Sequence, residues 1–113
     1  MAQRDVWWAD LSHPVGATSG FCRPVVVIQT DALNVSRLQN YLCVPLTSNL
    51  RLAHIPWNLL LSAKATGLDK DSVAQTHLTL AIDASQLLDF VGRIEERLLR
   101  QLFLCLDIAL GRP

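Results

Sequence analysis

Arg23-Pro24-Val25-Val26-Val27-Ile28 sets a permanent cation at the mouth of an unbroken apolar run. Valine and isoleucine favour extended backbone, and a run with no polar alternation reads as a strand buried on both faces. The strand, residues 24–29, therefore needs cover above and below. Pro24 also restricts the residue before it to extended conformations, so Arg23 has a well-defined place at the strand entrance. Arginine stays charged at any relevant pH and offers a planar fork of donors suited to phosphate. Taken alone, such a residue is more often one half of a structural ion pair.

The neighbouring segments are also strands. Val6-Trp7-Trp8-Ala9 is rich in β-formers, and residues 41–46 form a second apolar run. Pro45 cannot donate to a ladder, so it predicts an edge, a bulge or a strand end. Residues 57–62 and 72–81 complete the set, with a hairpin turn at Gly67-Leu68-Asp69-Lys70. Between the first two strands, residues 11–22 hold Pro14, Gly16 and Gly20 among small polar residues. A loop of that length in a compact domain is often functional. Residues 30–34 suit a single helical turn.

After Asp83 the period changes. Asp83 can cap a short helix over residues 83–88. Residues 93–110 predict a long helix with Glu95 and Glu96 in its first turn and Gly111 as its stop. Glu96 and Arg100 are spaced for an ion pair. The helix is apolar over more than one stripe: Leu104 and Ile108 extend the hydrophobic arc towards the polar side. Either the helix is sunk in its own core or a second chain touches it.

The 113 residues fit one domain, 1–113. Half are hydrophobic and 18% are charged, which supports a folded core. Ten basic residues balance ten acidic ones, so any nucleic-acid site must be a local field and not a global one. Cys22, Cys43 and Cys105 show no C-x-x-C spacing and read as reduced, mostly buried thiols of a cytoplasmic protein. Arg4, Asp5 and Asp10 interrupt any signal-peptide core, and the most apolar stretch, 98–110, is too short and too charged to span a bilayer.

Metal and phosphate-loop chemistry find no support. His13, His54 and His77 are scattered, with no second ligand at useful spacing. There is no glycine-rich phosphate loop, no Walker lysine and no nucleophile elbow. Thr47-Ser48-Asn49 ends a strand with three small hydrogen-bonding residues, for which local turn chemistry is the ordinary explanation.

Taken in order, Asp5-Val6-Trp7-Trp8-Ala9-Asp10-Leu11, Pro14-Val15-Gly16, Arg23-Pro24-Val25-Val26-Val27-Ile28, Val44-Pro45-Leu46-Thr47-Ser48, Lys70-Asp71-Ser72-Val73 and Ile82-Asp83, followed by a helix ending Leu110-Gly111, resemble the MazF/PemK/Kid toxin family. The resemblance covers nearly the whole chain. It implies a mainly β fold with α: a small SH3-like β-barrel, of the kind shared by MazF, Kid and CcdB, plus a long C-terminal helix. It implies a homodimer, a MazE-like antitoxin partner, and an endoribonuclease that cuts single-stranded RNA without metal or cofactor. Cleavage in the family uses the substrate's own 2′-hydroxyl and leaves a 2′,3′-cyclic phosphate and a 5′-hydroxyl. Arg23 would then stabilise charge at the scissile phosphate and Thr47 would donate to it. Gly16, Thr18, Ser19, Ser48 and His77 would lie against the RNA.

The chain departs from the family pattern in two places. Gln3-Arg4-Asp5 stands where Arg-Gly-Asp is common, so Arg4 replaces a glycine. His77-Leu78-Thr79-Leu80 stands where many members carry an acid-Gln-x-Arg/Lys stretch, so the glutamine and the cation are gone. His77 is then either a strand-surface residue or one that contacts a base or moves a proton. Two readings follow: a toxin nuclease, or a degenerate barrel acting by protein binding, as gyrase-poisoning toxins of the same fold do.

Overall fold

The computed structural model describes residues 1–12 and 21–112. Among the described residues, seven strands run in the order β1 Asp5–Asp10, β2 Cys22–Val27, β3 Asn40–Thr47, β4 Asn58–Leu61, β5 Ser72–Gln75, β6 Leu80–Asp83 and β7 Leu87–Arg93. One-turn helices α1 Asp31–Asn34 and α2 Ala63–Thr66 sit between strands, and α3 Glu96–Leu110 follows the last. The sheet path is β4-β5-β3-β2-β1-β7, every pair antiparallel, with β6 on the free half of β3. The fold is mainly antiparallel β, barrel-like, with a C-terminal helix.

β2 is the centre, for the reason its sequence implies. Val25, Val26 and Val27 are fully buried, and successive side chains enter different clusters. Val26 and Ile28 join Val6, Val44, Leu46 and Ile94 under Leu98, Leu99 and Leu102 of α3. Val25 and Val27 join Ala9, Cys43 and Ile82 on the other face. Gly92 of β7 stands against α2, where a Cβ would lie 2.6 Å from the Thr66 carbonyl oxygen. Only glycine permits that approach, and it brings α2 against β7.

Pro45 lies inside a central strand and not at an edge. β3 pairs with β6 over residues 40–43 and with β5 at Leu46 and Thr47. Pro45 occupies the changeover, where the missing N–H costs no ladder bond to either partner. The expected single strand over 72–81 is broken by a 3₁₀ turn, Thr76–Leu78, because β3 takes β5 and β6 as successive partners. His77 is therefore on this turn and not on a strand surface.

Three further expectations change. The link between β4 and β5 is wider than a four-residue hairpin: Ser62 caps α2, and Gly67 closes it in the left-handed region at φ +89°. The short helix after Asp83 is a 3₁₀ turn, Ala84–Gln86, held by a capping box between Asp83 and Gln86. Leu87–Arg93 then forms a strand that the sequence reading missed, so α3 starts at Glu96 and not at Arg93. The expected stop at Gly111 is present, at φ +71°. The helix is not sunk in its own core, since Leu104, Ile108 and Leu110 are each more than half exposed.

Arg4 stands at φ +82°, a conformation that glycine adopts freely and arginine does not. Its backbone ties β2 to the β7–α3 junction, donating to the Val27 carbonyl at 2.8 Å and accepting from the Ile94 amide at 3.0 Å. That explains physically why a glycine suits this place. Among the described residues, no helix is long and apolar enough to cross a membrane.

Candidate active site

A groove of about 790 Å³ opens across the strands, and Arg23 stands in its wall. β1 contributes Trp8, the entrance of β2 contributes Cys22 and Arg23, and the end of β3 contributes Leu46, Thr47 and Ser48. Ser72 and Gln75 of β5, the 67–70 turn, Leu78 and Phe21 also line it.

Arg23 is half-buried and hydrogen-bonded, yet not neutralised. Its Nε donates to the Leu46 carbonyl at 3.1 Å, and its Nη2 donates to Gln75 Oε1 at 2.5 Å. No carboxylate pairs with it among the described residues. The ion-pair explanation that would suffice for an isolated strand-end arginine therefore does not hold there. Burial lowers the Arg23 pKa from its ordinary value, because the charged form loses part of its hydration. Three of the five guanidinium N–H groups have no partner among the described residues.

Thr47 adjoins the carbonyl that fixes Arg23. Its Oγ1 accepts from the Asn49 amide at 3.2 Å, which is the expected turn chemistry. That bond uses a lone pair and leaves the hydroxyl proton free to donate. Ser48 is exposed on the same rim. Lys70 adds a second cation to the groove, partly offset by Asp69, while Trp8 and Phe21 leave aromatic surface open.

The other candidates are distributed differently. Gly16, Thr18 and Ser19 lie outside the described residues. The neck of their loop is closed by Leu11 N to Phe21 O, at 2.8 Å, and Phe21 N to Ser12 Oγ, at 3.3 Å. His77 is exposed and does not line the groove; its Nδ1 accepts from Trp57 Nε1 at 3.2 Å. Its neighbour Leu78 does line it, placing an apolar wall there. Cys22 is exposed at the groove, contrary to the expectation of mostly buried thiols, whereas burial pushes the Cys43 thiol up to about 12. Gln75, Trp8 and Phe21 escaped the sequence reading. Gln75 could not have been found by spacing, since it meets Arg23 across 52 residues. Among the described residues, no group of three His, Cys, Asp or Glu side chains could hold a metal ion.

The family model of the PemK-like, MazF-like toxin of type II toxin–antitoxin systems matches residues 2–110. The chain belongs to that family. Endoribonuclease MazF6 of Mycobacterium tuberculosis is 36% identical over 101 residues, 89% of each chain. Endoribonuclease EndoA of Bacillus subtilis is 31% identical over 107 residues, 95% of this chain and 91% of its own. The fold agrees with MazF in a MazE–MazF crystal structure from Deinococcus radiodurans at a TM-score of 0.80 and 19% identity, over 100% of this chain and 97% of that one. The open, cationic groove with Arg23 and Thr47 is thus the candidate active site of a PemK/MazF-like toxin.

Proposed function

We propose that this PemK/MazF-like toxin is an endoribonuclease that cleaves single-stranded RNA by attack of the substrate's own 2′-hydroxyl, without metal. The observation that carries the reading is Arg23: a half-buried cation in an open groove, held by two hydrogen bonds to neutral acceptors and with no carboxylate partner among the described residues. An O2′–P bond forms as the P–O5′ bond breaks. The 2′-hydroxyl loses its proton and the departing O5′ gains one, giving a 2′,3′-cyclic phosphate and a 5′-hydroxyl. With an internal nucleophile, the protein must chiefly hold ribose and phosphate in line and stabilise the charge gathering on the phosphate oxygens.

Arg23 supplies that stabilisation through its unpartnered N–H groups, and the Thr47 hydroxyl donates a second hydrogen bond. Trp8 and Phe21 offer faces on which unstacked bases can lie, which a duplex could not use. Ser48, with Gly16, Thr18 and Ser19 of the 11–22 loop, completes the RNA contacts. Leu78 contributes apolar contact where the family pattern often has an amide. His77, on the Trp57 side of its turn, belongs at the margin of this path.

The uncovered apolar face of α3 supports a homodimer, with Leu104 and Ile108 in the interface. The MazE–MazF pairing of the Deinococcus relative supports a MazE-like antitoxin that inhibits the chain in the cytoplasm. The test is incubation with a long unstructured RNA in the presence of EDTA, followed by mapping of the new ends. Cuts at one short motif are expected, lost in Arg23→Ala and reduced about tenfold in Thr47→Ala, the worth of one hydrogen bond to a charged group. Intact RNA with folded dimer would overturn the reading in favour of action through protein binding.

A further inference from the structure

We propose that Gln75 is the positioning residue of the Arg23 guanidinium, and that its uncharged amide is what leaves that cation able to meet an anion. The inference rests on the nuclease reading for its consequence, though not for its geometry. Gln75 lies on β5, only 9% exposed, opposite Asn58 of β4. Its Oε1 takes Arg23 Nη2 while the Leu46 carbonyl on β3 takes Nε. Two acceptors from two strands fix the plane of a fork that one acceptor would leave free to swing.

The orientation of the amide follows from chemistry. Arginine has donors only, so the Gln75 oxygen must face it, and the Nε2 group is directed elsewhere. Nε2 has no protein partner among the described residues, and Gln75 lines the groove, so the same amide presents a donor to whatever enters. A carboxylate at this place would grip the guanidinium as well or better, but it would cancel the charge and repel a phosphate. Arg93, paired with Asp5 at 2.8 Å, shows what that arrangement looks like in this same protein.

The test uses two variants, Gln75→Met, which keeps the volume and removes the acceptor, and Gln75→Glu, which keeps the acceptor and adds charge. Sulfate is titrated into ¹⁵N-labelled protein while the Arg23 Nε resonance is followed, and RNA cleavage is measured in parallel. Gln75→Met should lower kcat by about 10- to 100-fold with a smaller change in KM, as for loss of a charge-assisted hydrogen bond that orients a catalytic group. Gln75→Glu should weaken sulfate binding at pH 7 by at least about tenfold through charge pairing, and regain it only as pH falls below the ordinary carboxyl range, because the Arg23 guanidinium holds the introduced carboxyl down. A merely structural role would leave kcat and the sulfate affinity of folded Gln75→Met unchanged.

If both variants bind sulfate and cut RNA like wild type, or if Gln75→Glu shows no recovery in acid, the proposal is overturned. If wild type cuts no RNA but the sulfate results are as expected, the nuclease reading fails and the role of Gln75 stands.

Discussion

Arg23 and Arg93 lie on the two strands that flank β1, one near the entrance of β2 and the other closing β7. Arg23 meets a carbonyl and an amide, both neutral. Arg93 meets Asp5, its cross-strand partner in the register, at 2.8 Å. Asp5 is nearly buried and also accepts from the Ala2 amide at 2.9 Å. The same side chain thus does opposite work. At β7 it satisfies a buried anion, and at β2 it is itself the unsatisfied charge. The partner, and not the arginine, decides between scaffold and site.

The largest effect should come from removing the unsatisfied charge. Arg23→Ala is expected to lower RNA cleavage by about 10³-fold, the order found when a preorganised transition-state donor is lost. Its stability should stay within about 0.5 kcal/mol of wild type, since no buried carboxylate is orphaned. Cleavage kinetics and denaturant unfolding on one preparation check both halves. Unfolding of Arg23→Ala as early as a core mutant would break the contrast.

Arg93→Ala should invert this pattern. It leaves Asp5 buried without its cation, which in full burial costs about 3–5 kcal/mol; with half of the Arg93 side chain exposed to screening solvent, about 1–2 kcal/mol is expected. Cleavage per folded molecule should not change. A midpoint shift in urea without a change in slope would show that stability alone was affected.

Much of this was legible in the sequence, but unevenly. The β2 run announced itself because burial on both faces removes all polar alternation. Arg23 and Thr47 could be placed at strand ends as candidates. β7 was hidden because Leu88, Asp89 and Phe90 are all exposed and Leu87, Val91 and Gly92 only half-buried, so no period of two survives. Its partner, β1, is also some eighty residues away by number. The break at Thr76–Leu78 carries no glycine or proline; it is imposed by the change of partner along β3, with the Thr76 hydroxyl donating to the Trp57 carbonyl. Which arginine would lack a carboxylate is likewise a tertiary fact. The contacts of Arg23 and Arg93 span 52 and 88 residues.

A third arginine sharpens the comparison through its backbone. Arg4 gains little from its charge and adopts φ +82° at a cost. Arg4→Gly relieves the left-handed strain but gives up the Nη1 bond to the Ile94 carbonyl at 3.3 Å and adds freedom to the unfolded chain. A net gain of about 0.5–1 kcal/mol is expected, read as a higher urea midpoint with cleavage unchanged. A loss would mean that the side-chain bond outweighs the strain.

Arg100 supplies the floor of the scale. It pairs with Glu96 one helical turn earlier at 3.6 Å, and both side chains are about two-thirds exposed or more. Water already solvates each charge, salt screens their attraction, and holding two long side chains together costs rotamer entropy. Arg100→Ala should therefore cost only about 0.3–0.5 kcal/mol, and 1 M salt should erase most of the difference. Arg93→Ala should keep most of its penalty in the same salt, because Asp5 is shielded from ions by the sheet. If salt removed both penalties equally, the Asp5–Arg93 pair would be behaving as a surface pair, and the distinction between a neutralised and an unneutralised strand-end arginine would rest on Arg23 alone.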